Sequence, residues 1–294
     1  MQDIFFALLG ITKTTSKMAV LAKIEQELSS APSLKAALTL AVVENRFVAN
    51  YQAVTGKTDG HNKFQSELLA YLEVISEKPD LMALERFQHL KAVMKAGTTG
   101  LSFRDNKLYV MPGPNKTIKV QSSPAGKREQ MEMMPTVKKV PEAQLVLEGD
   151  VFKWDKANDK ILSHEVKTLE PTWDNIVAAY QRVYWKDGSY NDVVVLKSEL
   201  VKARSKSRTK SEDSPWNTWT PDMCKKVATN RAYRLYHKYP DNVVTLGADE
   251  DKHTTVDSDF EVEPATTSTP EQQASSPTQA AEQKKHESDD FLNN

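Results

Sequence analysis

The chain has 294 residues, 39 Lys and Arg against 40 Asp and Glu, and one cysteine, Cys224. That length holds one or two domains with a sizeable core, a lone cysteine excludes an intrachain disulfide, and no apolar run reaches the length of a membrane span. The net charge of −1 hides a split: residues 247–294 hold 12 acids and 3 bases (net −9), residues 1–246 hold 36 bases and 28 acids (net +8), so a basic body suited to a polyanion carries an acidic tail.

The chain opens on IFFALLGI, Ile4 to Ile11, too short for a signal peptide and without a basic leader; it reads as part of a buried or partner-facing helix. Val20, Ile24 and Leu28 share a helical face, and Leu34, Leu38, Val42 and Phe47 continue the theme after Pro32. Phe64, Leu68, Leu72 and Ile75 form a stripe that ends before Pro79, and Leu84, Phe87, Leu90 and Met94 form another, with Gly97 expected as its C-cap. Such stripes are core. Gly56-Lys57-Thr58 invites a P-loop, which needs a glycine five residues before the Gly-Lys pair and a preceding strand. That position is Tyr51, inside a helical pattern, so an ATP-driven motor is excluded.

The pattern then changes. Lys107–Met111 and Thr117–Gln121 are strand candidates across Pro112-Gly113-Pro114-Asn115. Lys127–Lys139, with Met131, Met133 and Met134, reads as a helix that Pro135 ends or breaks. Ala143–Glu148 and Val151–Trp154 flank a turn at Gly149-Asp150, residues 160–167 read as loop, and residues 175–183 fit helix or strand. Arg182–Lys186 and Asp192–Lys197 flank Asp187-Gly188, a hairpin signal, and Ser198–Arg204 is a short helix.

Residues 202–240 carry the densest signal. Lys202, Arg204, Lys206, Arg208 and Lys210 alternate with small or polar residues, then Trp216 and Trp219 appear. A helix follows, with Thr220 expected as N-cap and Pro221 at its first position. Ala228, Ala232, Leu235 and Tyr239 make an apolar stripe beside Arg231, Arg234 and Lys238; Lys225 and Lys226 add cations, and the only acid after Pro221 on this helix is Asp222, in the first turn where the dipole favours it. Cations beside flat aromatics suit phosphates with stackable bases; the alternative is a solvated basic loop next to an amphipathic helix. Trp216 either stacks on a base or holds the helix start against the core.

Asp150 followed by Glu165-Val166-Lys167 matches how one nuclease class holds a divalent metal: two carboxylates for the cation and a lysine for the attacking water. The six histidines show no metal-ligand spacing, and His89 and His237 are expected at helix surfaces or rims. Beyond Gly247, Thr, Ser, Pro, Gln and acids bring too little apolar surface to offset ordering entropy, which predicts disorder. The terminal ESDDFLNN sets acids beside Phe291 and Leu292, a segment able to dock in a partner's basic groove or simply an inert end.

The segment Val146 to Pro240 resembles the RecT family of phage single-strand annealing proteins. Four pieces carry the resemblance in order: Glu148-Gly149-Asp150-x-Phe152; Lys186-Asp187-Gly188 followed by Lys197-x-Glu199-Leu200-Val201-x-x-Arg204; Pro215-Trp216 nine residues before Lys225-Lys226; and Ala228 with Arg231. Gly100-Leu101 and Leu108-Tyr109-Val110-Met111-Pro112 extend it more loosely upstream, while Ser123-Pro124-Ala125-Gly126 stands where the family has a Gly-Tyr-x-Gly turn. The resemblance implies an α+β fold: a helical N-terminal region (1–96), an annealing core (97–246) of small antiparallel sheets packed with helices around a basic groove, and a disordered acidic tail (247–294). It implies ATP-independent binding and annealing of single-stranded DNA by a ring or helical filament, with no cofactor. DNA contacts would come from Lys225, Lys226, Arg231, Arg234, Lys202, Arg204, Lys206, Arg208, Lys210, Lys127, Arg128 and Trp216. Implied partners are a phage exonuclease and, through the tail, the host single-strand binding protein, in the cytoplasm of a bacterium or phage-infected cell. A metal-dependent nuclease using Asp150, Glu165 and Lys167, and a passive nucleic-acid coat or assembly adaptor, are the competing readings.

Overall fold

Helices with apolar stripes open the described part of the chain, because each stripe needs a partner to cover it. The structure is a computed structural model that describes residues 24–207 and 211–238. The Ile4–Ile11 segment, Val20, Arg208, Lys210, Tyr239 and the acidic tail lie outside the described residues. After a helical segment over residues 24–30 come α1 (Leu34–Leu38), α2 (Ala41–Thr55), α3 (Gly60–Ser76), the single turn α4 (Pro79–Met82) and α5 (Arg86–Thr99). Phe47, Phe64, Leu68, Tyr71, Leu90 and Val93 meet in one core. Tyr51 is buried within α2, and Gly56 closes that helix in the left-handed conformation at φ 69°, so the Gly-Lys-Thr triplet is a helix end.

Two expectations need correction here. Gly97 does not cap α5; it lies inside the helix against Phe47, where a β-carbon would sit 3.0 Å from the Phe47 ring, and Gly100 is the left-handed cap. The glycine was needed for close helix packing, not for a turn. His89 is fully buried rather than at a rim, with Nδ1 2.8 Å from the Tyr71 hydroxyl.

The hairpin β1 (Leu108–Pro112) and β2 (Ile118–Ser122) adds Leu108, Val110 and Ile118 to the same core. Helix α6 (Pro124–Glu132) starts at Ser123, whose hydroxyl accepts from the Gly126 N–H at 3.0 Å. It ends before Pro135, so the second half of the helix expected over 127–139 is instead strand β3 (Val137–Lys139).

The second layer is built on β7 (Ile176–Trp185), the segment that fitted helix or strand. It pairs antiparallel with β3 and β4 (Gln144–Leu147), and with β8 (Tyr190–Leu196) across the Asp187-Gly188 turn, where Gly188 takes φ 88°. Strand alternation gives the sheet two faces. Ala179, Gln181, Val183, Val193 and Val195 meet helix α9 (Thr220–Tyr236), while Ala178, Tyr180 and Val194 meet the separate hairpin β5 (Val151–Asp155) and β6 (Lys160–Glu165). Residues 160–165 are thus strand, not loop. Short helices α7 (Lys197–Ser205) and α8 (Pro215–Thr218) complete an α+β fold of small antiparallel sheets packed with helices.

Candidate nucleic-acid interface

Helix α9 buries Cys224, Ala228 and Ala232 at steps of four against the sheet. A twisted sheet carries that contact line around the helix, so Leu235, three residues past Ala232, falls off it and is 59% exposed, while Tyr236 takes its expected place in the core. Thr220 is not the N-cap: its hydroxyl donates to the Trp216 carbonyl at 2.6 Å, and Trp219 precedes the helix without a side-chain cap. Burial pushes the Cys224 thiol up to about 11, so it is a packing group.

The cations around α9 fall into distinct settings. Arg231 pairs with Glu199 at 2.7 Å and donates to the Val194 carbonyl at 3.4 Å, tying α9 to the start of α7 and to β8. Burial raises the Glu199 carboxyl, but the Arg231 guanidinium and the Leu196 N–H outweigh it and hold it low. Lys225 reaches Glu142 at 3.2 Å, Lys226 is half-exposed and Arg234 is exposed. On α6, Lys127 donates to Asn230 Oδ1 at 2.7 Å with its ammonium 5.7 Å from the Tyr233 ring, and Arg128 is half-exposed beside it.

Helix α7 divides the basic run. At 100° per residue, Lys202 and Lys206 share one exposed side while Arg204 lies on the opposite one. Arg204 sits 4.4 Å from the Trp173 ring centroid and donates to Asn217 Oδ1 at 2.6 Å. Lys197 lies 3.9 Å from the same centroid and donates to the Trp173 carbonyl. Trp173 in turn meets Trp216 edge to face, 6.2 Å between centroids.

Trp216 is 1% exposed, so it holds the helix start against the core and offers no face to a base; the exposed indole of this region is Trp219, at 64%. Reading by charge runs missed Trp173 and Lys197. Their signal was the hairpin register: with Ala178 opposite Leu196, the residue after β8 returns beside the segment that leads into β7.

The nuclease triplet is not arranged for metal. The Asp150 carboxylate accepts from the Leu147 N–H at 2.9 Å, the Lys167 N–H at 2.8 Å, the Thr168 N–H at 3.3 Å and His164 Nε2 at 3.1 Å, which uses both oxygens to pin the end of the β5–β6 hairpin. Glu165 and Lys167 are exposed and pair with each other at 2.5 Å. Among the described residues, no group of three or more His, Cys, Asp and Glu side chains could hold a metal ion. Among them also, no helix is long and apolar enough to cross a membrane.

No curated protein matches the chain. The family model for the RecT family matches residues 67–264, well over half of the chain, taking in both hairpins, the β7-centred sheet and all the cations of α6, α7 and α9 described above. The chain therefore belongs to the RecT family, whose members anneal single strands of DNA in recombination.

Proposed function

We propose that this protein binds single-stranded DNA along the cations of α6, α7 and α9 and anneals it to a complementary strand without ATP. The observation that supports this best is the family match over the segment where Lys202, Lys206, Lys226 and Arg234 lie along α7 and α9 and the exposed Trp219 directly precedes α9. Phosphate neutralisation lowers the repulsion between two strands, and a strand held extended along a row of cations cannot fold on itself. Bases left free to face a second strand can then test register, and pairing supplies roughly 1.4 kcal/mol of stacking per step with no covalent chemistry.

The DNA contacts in this reading are Lys202, Arg204, Lys206, Lys225, Lys226, Arg231, Arg234, Lys127 and Arg128, with Arg208 and Lys210 in the stretch that joins α7 to α8. The working form is an oligomer, a ring or helical filament. Residues 1–96 contribute subunit contacts, residues 97–246 the annealing core, and the acidic segment 247–294 the contact with a phage exonuclease or the host single-strand binding protein, in the bacterial cytoplasm.

Mixing the purified protein with two complementary oligonucleotides, without nucleotide triphosphate, tests the reading. Accelerated duplex formation is expected. Binding without acceleration would leave a passive coat, and magnesium-dependent cleavage would restore the nuclease.

A further inference from the structure

Several cations among the described residues are paired with a carboxylate. Lys63, Lys107, Lys167, Arg182, Lys225 and Arg231 each have a carboxylate oxygen at 2.5 to 3.2 Å. Lys197 and Arg204 do not: among the described residues neither makes an ion pair, yet both sit over one indole, at 3.9 and 4.4 Å from the Trp173 centroid. Their polar partners are neutral, the Trp173 carbonyl for Lys197 and the Asn217 amide oxygen for Arg204. Two like charges held on one half-buried ring repel each other, and cation–π attraction of about 0.5–2 kcal/mol apiece offsets that only in part. Burial lowers the Lys197 ammonium pKa; Cys224 and Asp174 raise it from a distance, and Arg204 lowers it further. The arrangement is short of one negative charge.

We propose that Lys197 and Arg204, splayed over Trp173, form a clamp for one phosphodiester group of the bound strand. The guanidinium gives a planar fork for two phosphate oxygens and the ammonium a point charge on the third direction. Trp173 is the positioning residue: both heads lie within 4.4 Å of its ring centroid, and Trp216 behind it anchors the indole to the core. Seven residues apart on α7, the two cations lie on the same side of that helix, opposite Lys202 and Lys206, so the clamp adds a contact that the basic run alone does not supply.

This inference rests on the reading of the chain as a single-strand binder, and the test separates the two. Affinity for a 5′-hydroxyl oligothymidylate is measured across a salt series for the full chain, for K197Q/R204Q and for the charge-keeping K197R/R204K, with a thermal melt of each. Loss of the one phosphate that the clamp neutralises should flatten the log–log salt slope by about 0.7 and weaken binding by roughly tenfold or more, while K197R/R204K keeps the wild-type slope. A K197Q/R204Q protein that melts and titrates like wild type overturns the clamp and leaves the single-strand reading standing; a wild-type protein that binds no oligonucleotide in dilute buffer overturns both.

A second measurement needs no variant. Acylation of lysines on the wild-type protein, read by mass spectrometry, should show Lys197 protected by the oligothymidylate and equally by an abasic strand of the same length, because the clamp reads backbone and not base. Protection of Lys225 and Lys226 without Lys197, or protection that requires a 5′-phosphate, would overturn it.

Discussion

The Thr229 hydroxyl donates to the Gln181 side-chain oxygen at 2.9 Å, joining the middle of α9 to the centre of β7 where both residues are buried. The rest of that amide is also used, since Nε2 donates to the Pro141 carbonyl at 2.6 Å and the Arg182 carbonyl at 3.1 Å. A Thr229→Val substitution keeps the shape and leaves an acceptor buried and unpaired, which costs about 1–3 kcal/mol. Urea titration should show a lowered midpoint with an unchanged slope. An unshifted midpoint would mean that this bond does not set the seat of α9.

On the opposite face of the same sheet, Arg182 grips Asp192 with two bonds, 2.7 Å from Nε to Oδ1 and 2.8 Å from Nη2 to Oδ2, and the Ile161 N–H donates to the same Asp192 oxygen at 2.8 Å. The Asp192 side chain has no exposed surface. Arg182→Met therefore strands a buried charge and is expected to cost about 3–5 kcal/mol, whereas Arg182→Met with Asp192→Leu removes both charges and should recover much of that loss. Chemical denaturation of the two variants checks the sign: the double variant must be the more stable.

Asp150 gives the fold a pH signature. Burial pushes its carboxyl up, but the Lys167 and Leu147 N–H groups, the His164 ring and the Thr168 N–H together hold it well below the usual carboxylate range. A depressed folded-state pKa means stability that is present above the unfolded value of about 4 and lost as pH falls toward the folded one. Asp150→Asn should lower stability near neutral pH by about 1–3 kcal/mol, because an amide cannot accept all four bonds. It should also flatten the decline of stability below pH of about 4, read from melts over an acid series.

The helical stripes were legible because their period depends only on neighbours along the chain. Phe64, Leu68 and Ile75 are buried on α3 as the spacing required, and the Asp187-Gly188 turn set the β7–β8 register. What escaped was whatever depended on the distant chain. Gly97 carries a capping residue's signature but serves the Phe47 contact. Residues 160–165 become strand only because β5 pairs with them, and Asp150 looked like half of a metal site because a sequence does not show that three backbone N–H groups converge on it. Among the site residues, the charges were visible and their neighbours were not: nothing in the run from Lys202 to Lys210 says that Arg204 turns toward Trp173 while Lys202 and Lys206 turn away.

The two neighbouring tryptophans should respond oppositely to truncation. Trp216 is a fully buried side chain against Trp173, Ala228 and Leu200, so Trp216→Ala is expected to cost about 3–5 kcal/mol and to abolish folding before binding can be measured. Trp219 contributes an exposed ring to no core cluster, and Trp219→Ala should change stability by less than about 0.5 kcal/mol. If bases stack on it, the same change weakens oligonucleotide binding by about 1–3 kcal/mol and removes most of the binding-induced tryptophan quench. Intact affinity and quench in Trp219→Ala would take that ring out of the interface.

Lys225 offers a way to test whether α9 faces phosphate by adding affinity instead of removing it. Its ammonium lies 3.2 Å from Glu142, and both side chains keep contact with solvent. Such a surface pair is worth about 0–1 kcal/mol, less than a phosphate contact in a strand's counterion field, so a bound strand can take Lys225 from Glu142. Removing the competitor with Glu142→Gln should then tighten single-strand binding by up to about fivefold at low salt, with the gain fading as salt rises. Lys225→Ala with Lys226→Ala should move the other way, weakening binding to every sequence alike and flattening the salt slope by about 1.4. The two results are linked by the same ammonium. A tighter Glu142→Gln beside an unaffected lysine double variant would assign the gain to general loss of negative charge near the strand, and α9 would have to present its phosphate contacts from Arg234 instead.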